Sequence, residues 1–221
     1  AAALLFSVMA LCVKRASAHL PGAEIAFLRF AIGLVAVAVV MVGGRRLRPR
    51  DLRSLFWRGA FGGAAVLLYF HAITRLPVGL ATLLNYSSPL FTILLSAIFL
   101  GERAGWRTGL ALCVALSGVA LVAAADPGGL SLSGQLPAVL IGLLSAVLSG
   151  AAVTMIRAMR QHEGSWEIFC AFCLVGGAMT AVPTALRFVP PSPMDWAWVV
   201  GAGLSSVVAQ ILMTHALRDV R

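Results

Sequence analysis

The sequence predicts an all-α, polytopic transmembrane helix bundle, and three observations support this fold class. Hydrophobic residues make up 60% of the 221 residues and charged residues only 11%, against about 45–50% and about 25% in soluble domains. The mean hydropathy is +0.95. Apolar runs of about 20 residues, the length that crosses a bilayer, alternate with short polar segments. This composition excludes a soluble enzyme, a disordered chain and a disulfide scaffold.

Eight apolar runs are long enough to be spans, and each is bounded by charge, glycine or proline. The first run begins without a basic segment, so it is predicted to be a helix cut part-way rather than a signal peptide. The runs are about twice as long as a barrel strand and lack its alternation, which excludes a β-barrel. The predicted spans are residues 1–18, 24–42, 55–74, 78–100, 106–125, 135–157, 166–187 and 196–217.

The distribution of lysine and arginine predicts the orientation in the membrane. If the first helix starts in the cytoplasm, twelve arginines counted as loop residues fall on the cytoplasmic side, six of them between residues 45 and 58, and four cations fall on the other side. Because cytoplasmic loops carry the excess of cations, we expect an integral protein of the bacterial inner membrane. The net charge of +9 then serves orientation and contact with membrane lipid, and no nucleic-acid partner is expected.

An internal repeat appears when the chain is shifted by 143–144 residues. Residues 1–125 are therefore predicted to form one five-helix unit, and residues 126–221 the first three helices of a second unit. A five-span unit re-enters the membrane inverted when it is repeated, an architecture of secondary transporters. About eight of ten expected helices are then present. The coincident pairs are Lys14 with Arg157, His19 with His162, Glu24 with Glu167, His71 with His215 and Gly59 with Gly203.

Five short segments carry a resemblance to a known family. They are residues 28–30 (LRF), 69–77 (YFHAITRLP), 85–91 (NYSSPLF), 99–103 (FLGER) and 117–122 (SGVALV). In this order they resemble the drug/metabolite transporter superfamily, specifically its EamA-type ten-helix members, from which this chain departs by truncation at both ends. The resemblance implies a permease of a small organic metabolite, such as an amino acid or related compound, that works by alternating access. Members carry many kinds of metabolite, so the substrate is not defined, and no cofactor is expected.

Uncharged polar residues in the predicted third, fourth and eighth spans are the candidate binding residues. In span 4 they recur at helical spacing, and such a stripe is expected to face protein or water rather than lipid. Pro89 cannot donate a hydrogen bond to the preceding turn, so the helix is expected to open near Asn85, either as a gate or as a packing kink. The alternative is that the stripes only join helices by hydrogen bonds. The predicted substrate-binding residues are Tyr69, His71, Thr82, Asn85, Tyr86, Gln210 and Thr214.

The repeat predicts the character of the two cavity walls. At an offset of 144, the polar stripe of span 8 corresponds to an apolar and aromatic stripe of span 3 that contains Tyr69 and Phe70. Polar and aromatic walls together suit a small amphipathic molecule better than a bare ion, although both aromatics could instead pack in the core. Charged residues are expected at the span ends, so a neutral or zwitterionic metabolite is predicted.

His71 and Glu102 each have two interpretations. His71 could relay protons, because an unperturbed histidine has a pKa of about 6.5, or it could be a hydrogen-bonded core residue. Glu102 stands beside Arg103 and Arg107 at the end of span 4. It is interpreted either as a gate latch or fold-defining salt bridge, or as a helix-end residue solvated at the interface. Since no acid lies in the middle of a predicted span, the coupling ion is left open.

Other classes of function lack their residue patterns. An intramembrane hydrolase needs a nucleophile with a base, or metal ligands at helical spacing, and neither is found. The pair Cys170 and Cys173 has no nearby histidine, so no metal site is predicted. A channel is disfavoured because no ring of charges or filter glycines occurs. A non-transporting membrane scaffold or subunit remains the alternative, and the oligomeric state is not indicated.

Overall fold

The computed structural model describes residues 2–101, 105–124, 132–159 and 162–219, and these residues fold almost entirely as helix. The gate candidate Glu102 lies outside the described residues. Within the described residues there are nine helices: α1 (Ala2–Ala16), α2 (Gly22–Val42), α3 (Leu52–Arg75), α4 (Val78–Tyr86), α5 (Ser88–Leu100), α6 (Trp106–Ala124), α7 (Leu132–Met159), α8 (Ser165–Leu186) and α9 (Pro193–Asp219).

The predicted all-α membrane bundle is confirmed. Each of the eight predicted spans coincides with one helix, except that residues 78–100 form the pair α4 and α5. Five segments of the described chain are long and apolar enough to cross a membrane; α1, α3 and α6 occupy the other three predicted spans. The five are Gly22–Val42, Val78–Leu100, Leu136–Met159, Ser165–Leu186 and Pro193–Ala216.

The break between α4 and α5 lies at Ser87, two residues before Pro89. The Ser87 hydroxyl donates to the carbonyl of Leu84 over 2.6 Å, and the Ser87 amide donates to the same carbonyl. Pro89 then occupies the first turn of α5, where its missing N–H leaves no donor unsatisfied. The span therefore restarts as a new helix without a connecting loop.

Four contacts between helices hold the centre of the bundle. α3 packs against α7 and α8, while α2 packs against α8 and α9. The α2–α8 contact contains an edge-to-face pair, Phe30 and Phe172, with ring centroids 5.1 Å apart. At the α3–α8 contact Gly63 meets Gly176 so closely that an added Cβ at residue 63 would lie 2.6 Å from the Gly176 Cα. These contacts fix the helices that surround the cavity described below.

Hydrogen bonds between helices define the directions in which α1 and α7 run. Lys14, near the end of α1, donates to the carbonyls of Ile73 and Leu76 at the end of α3, over 2.8 and 3.0 Å. α4 and α5 lead back from that end. α7 runs alongside them in the same direction, as two hydrogen bonds show: Asn85 of α4 bonds to Ser145 in the first half of α7, and Ser96 of α5 bonds to Arg157 near the end of α7. α7 therefore runs in the direction opposite to α1.

Buried carboxylates bind the loops at both ends of the bundle. At the end formed by residues 43–51 and 162–164, Glu163 accepts the amides of Arg50 and Asp51, each over 2.6 Å. At the opposite end Glu24 accepts the amide of Val189 over 3.0 Å. Hydrogen bonds from Ser54 hold the pKa of the Asp51 carboxyl, which caps α3, below its usual range. These acids are occupied in holding backbone in place.

Candidate functional site

A cavity of about 500 Å³ lies between the helices, close to the α4–α5 break. Six of the helices that line it are α1, α2, α3, α7, α8 and α9, and the seventh wall is the α4–α5 pair. Its volume is within the range of small-molecule sites. Its lining includes Phe6, Met9, Arg29, Arg58, Gly62, Ala65, Val66, Tyr69, Asn85, Tyr86, Ser88, Pro89, Ser149, Ala152, Val153, Phe172, Gln210 and Met213.

Two buried arginines are the most polar groups of the cavity. Arg29 of α2 and Arg58 of α3 are each only 3% exposed. The Arg29 Nε donates to the Ser206 hydroxyl over 2.7 Å, and the Arg58 Nη2 donates to the Gln210 Oε1 over 3.4 Å. Ser206 and Gln210 are one turn apart on α9, so a single helix face supports both guanidinium groups.

The ring of Phe172 lies between the two arginines and α8. The guanidinium carbon of Arg58 is 4.5 Å from the ring centroid, and that of Arg29 is 5.2 Å from it, both within the range of cation–π attraction. One turn after Arg58, Gly62 has no side chain, and the Arg58 Nη1 occupies the space where a Cβ would lie. Gly62 therefore allows this guanidinium to fold back against α3.

The α4–α5 wall carries an amide and a phenol. Asn85 Nδ2 donates to the hydroxyl of Ser145 over 3.1 Å and lies 3.5 Å from that of Ser149, both on α7. The Tyr86 hydroxyl donates to the carbonyl of Ala3 over 3.3 Å. Asn85 thus lines the cavity and also joins two helices, so both interpretations of the span 4 stripe describe it.

Five of the residues singled out from the sequence lie in the cavity wall: Tyr69, Asn85, Tyr86, Pro89 and Gln210. Thr82, Thr214, His71 and Phe70 stand apart from it. The Thr82 hydroxyl is hydrogen-bonded to the Tyr69 hydroxyl over 3.2 Å. The Thr214 hydroxyl donates to the Gln210 carbonyl within α9. His71 does not line the cavity, and Phe70 is fully buried in the core.

The expectation that charged side chains stay at the span ends is wrong for Arg29 and Arg58. Arg29 lies within the predicted second span, where its lack of a neighbouring acid was a usable signal of a polar site. Arg58 was counted among the loop arginines although it lies inside the predicted span 55–74. Counts of loop cations treat every arginine near a span end as an orientation signal and so overlook one that turns inward.

Membrane helices packed around a largely apolar cavity that carries a few polar groups are the arrangement of a membrane transporter. Residues 1–124 match the EamA-like transporter family. The chain therefore belongs to the EamA-like transporter family, and it is a membrane transporter of small metabolites rather than an enzyme.

Three relatives illustrate the similarity. The pseudopaline exporter CntI of Pseudomonas aeruginosa is 35% identical over 218 residues, which cover 97% of this chain and 75% of the relative. A probable terminal-alkyne amino-acid exporter of Streptantibioticus cattleyicolor is 40% identical over 106 residues, or 47% of this chain and 35% of that protein. A solved crystal structure aligns with a TM-score of 0.74 and 25% identity, covering 98% of this chain and 76% of that one.

Proposed function

We propose that this protein moves a small organic metabolite, such as an amino acid or related compound, across the membrane by alternating access around the cavity. The observation that carries the proposal is the cavity itself. About 500 Å³ of space is bounded by amide, phenol and guanidinium groups together with apolar side chains, as expected for a site that binds an amphipathic molecule. Two relatives are named as exporters of pseudopaline and, probably, of an amino acid, which supports the substrate class.

The proposed movement rests on an inverted repeat of residues 1–125 and 126–221. α1 and α7 begin the two units and run in opposite directions. In this repeat α1, α2 and α3 correspond to α7, α8 and α9. The contacts between the two units are equivalent, because α1 packs against α9 as α7 packs against α3, and α2 packs against α9 as α8 packs against α3. Two such units can rock against each other around a central site and open it to either side in turn.

The α4–α5 break supplies a place where this movement can bend a wall of the cavity. Asn85 and Tyr86 lie directly before the break, and Pro89 follows it. A change of angle at Ser87 would move the amide and the phenol relative to α7 and α1. We therefore assign Pro89 to gating, while the role of Glu102 remains the prediction made from the sequence.

We further propose that the protein lies in the bacterial inner membrane with the 43–51 loop in the cytoplasm. Arg46 is exposed at that end, and Ala18 is exposed at the other. On intact cells an impermeant thiol reagent is expected to label an Ala18→Cys variant and to leave Arg46→Cys unlabelled until the cells are opened. Cells that carry the unsubstituted chain report any reaction of the native cysteines. Labelling of Arg46→Cys on intact cells would mean that the protein has the opposite orientation to the one proposed.

The transport function is tested by filling the cavity. Val153 of α7 lines it, and tryptophan at this position is expected to extend into the cavity and obstruct it. Vesicles that contain the full-length protein are expected to transport members of a labelled metabolite library, and Val153→Trp is expected to abolish that transport. The matched control is Val182→Trp, since Val182 is 66% exposed on the outer face of α8.

The control variant separates transport from the scaffold alternative. Val182→Trp is expected to retain wild-type rates, because a tryptophan there meets lipid rather than the cavity. Folding of both variants is checked by size-exclusion chromatography in detergent. If the wild-type protein moves no member of the library, or if Val153→Trp moves it as fast as the control, the cavity is not a transport site and the scaffold interpretation gains support.

A further inference from the structure

Arg29 and Arg58 are charged groups in a place where charge is costly. Both are 3% exposed and lie inside helices of the membrane bundle, where an isolated cation is strongly unfavourable unless an anion or several acceptors compensate it. Among the side chains that the structure describes, the one contact between a basic and an acidic group joins His19 to Asp195 at the end of the bundle. Neither cavity arginine has a carboxylate partner in the described part of the chain.

The neutral partners leave much of the hydrogen-bonding capacity of the two arginines unused. A guanidinium carries five N–H donors, whereas Arg29 donates to one hydroxyl and Arg58 to one amide oxygen. Arg29 Nη1 and the Nε and Nη1 of Arg58 are buried without an acceptor. The two residues line the same cavity, so acceptors from a bound molecule can reach this part of the protein.

The surroundings hold the two guanidinium groups in place without neutralising them. Both lie against the ring of Phe172, and Arg58 folds into the space left by Gly62. If the arginines served only to hold helices together, apolar side chains of similar size would serve better, because replacing buried charges by apolar groups is often stabilising. A pair of supported but uncompensated cations is instead the arrangement of an anion-binding site.

We propose that Arg29 and Arg58 together bind a carboxylate group of the transported metabolite, so that the substrates are amphipathic organic acids or acidic amino-acid derivatives. This proposal rests on the proposed transport function and narrows its substrate class. The carboxylate lies between the two guanidinium groups, and the apolar part of the molecule contacts Met9, Val66 and Met213, which line the same cavity. Gln210 and Ser206 orient the arginines and leave N–H groups of both without an acceptor among the described residues.

The test compares carboxylates with amides of the same shape. The probes are N-acetyl-leucine and 4-phenylbutyrate, each paired with its neutral amide, and the readout is the unfolding temperature of the purified full-length protein in neutral detergent. At ten times its dissociation constant a ligand is expected to raise this temperature by roughly 3–6 °C. We expect at least one carboxylate to do so and its amide to have no effect.

Three variants assign the effect to residues. Arg29→Gln and Arg58→Gln are expected to lose the shift caused by the carboxylate, while their unfolding temperature without ligand stays equal to that of the wild type or rises, since a buried uncompensated charge has been removed. A purely structural role predicts a fall instead. The matched control is Arg53→Gln, which removes an exposed charge from the same helix and is expected to respond as the wild type does.

The outcomes of these tests show whether the site binds a carboxylate or a phosphate group. The proposal is overturned if no carboxylate stabilises the protein more than its amide, if the arginine variants still respond, or if only inorganic phosphate or phosphatidylglycerol produces the shift. In the last case the site binds a phosphate group, free or as part of a lipid. In vesicles, Arg58→Gln is expected to slow carboxylate transport by about tenfold or more, the change that corresponds to about 1.4 kcal/mol.

The binding test and the transport test can fail independently. If carboxylates bind through the arginines but vesicles show no transport, the transport function fails and the anion site stands. If Val153→Trp blocks transport but the two arginine variants transport and bind as the wild type does, transport stands and the carboxylate site is wrong.

Discussion

Replacing Gly63 by alanine is expected to destabilise the bundle by about 1–3 kcal/mol, the usual cost of overpacking a close contact. The added Cβ would lie 2.6 Å from the Cα of Gly176, which is a main-chain atom. No flexible side chain can move away, so α3 and α8 must separate. Because Arg58 lies on α3 and Phe172 on α8, this separation also disturbs the centre of the cavity.

The matched control for Gly63→Ala is Gly79→Ala. An added Cβ at Gly79 meets nothing within 4 Å, and alanine favours a helix over glycine by about 1 kcal/mol. The unfolding temperature in detergent is therefore expected to fall for Gly63→Ala and to stay the same or rise for Gly79→Ala. Equal stability of Gly63→Ala and the wild type would mean that the two helices do not approach as closely as described.

The sequence predicted the helices well because apolar length is a strong signal in a membrane, but local polar contacts moved their ends. α9 begins at Pro193 rather than at the predicted residue 196, since Ser192 and Asp195 form a reciprocal cap in which each accepts the amide of the other. A hydropathy pattern assigns these polar residues to the loop before the helix. The break of span 78–100 was expected near Asn85, and the stop at Ser87 depends on a hydrogen bond to Leu84 that the pattern does not specify.

The cavity could be predicted only in part. Tyr69, Asn85 and Gln210 were identified because uncharged polar and aromatic residues at helical spacing mark one face of a helix. Arg29 and Arg58 were missed because a cation is normally excluded from the membrane interior, and its burial becomes reasonable only when helices from distant parts of the chain enclose it. α9 supplies that environment 177 residues after Arg29 and 152 residues after Arg58 in the sequence.

Asn85→Ala and Gln210→Ala are expected to reduce transport by about 5–150-fold each, because a site that binds its ligand by hydrogen bonds loses roughly 1–3 kcal/mol for each partner removed. Gln210 has a further effect, since its Oε1 accepts from Arg58 Nη2 and its loss leaves that guanidinium less well oriented. Expression is expected to change little, because each substitution also removes the burial cost of its own amide. The measurement is initial uptake into vesicles, normalised to the amount of folded protein.

The control for these two variants is Ser117→Ala, which removes an exposed hydroxyl that bonds only within α6 among the described residues. It is expected to transport at the wild-type rate. Asn85 also donates to Ser145 on α7, so a fall in both transport and unfolding temperature for Asn85→Ala would assign this residue to helix packing. A fall in transport alone shows that the Asn85 amide serves transport rather than helix packing, because a packing role would also lower the stability of the bundle. Wild-type transport by both Asn85→Ala and Gln210→Ala would contradict the site altogether, since these amides line the cavity from two different helices, α4 and α9, and a ligand that fills it meets at least one of them.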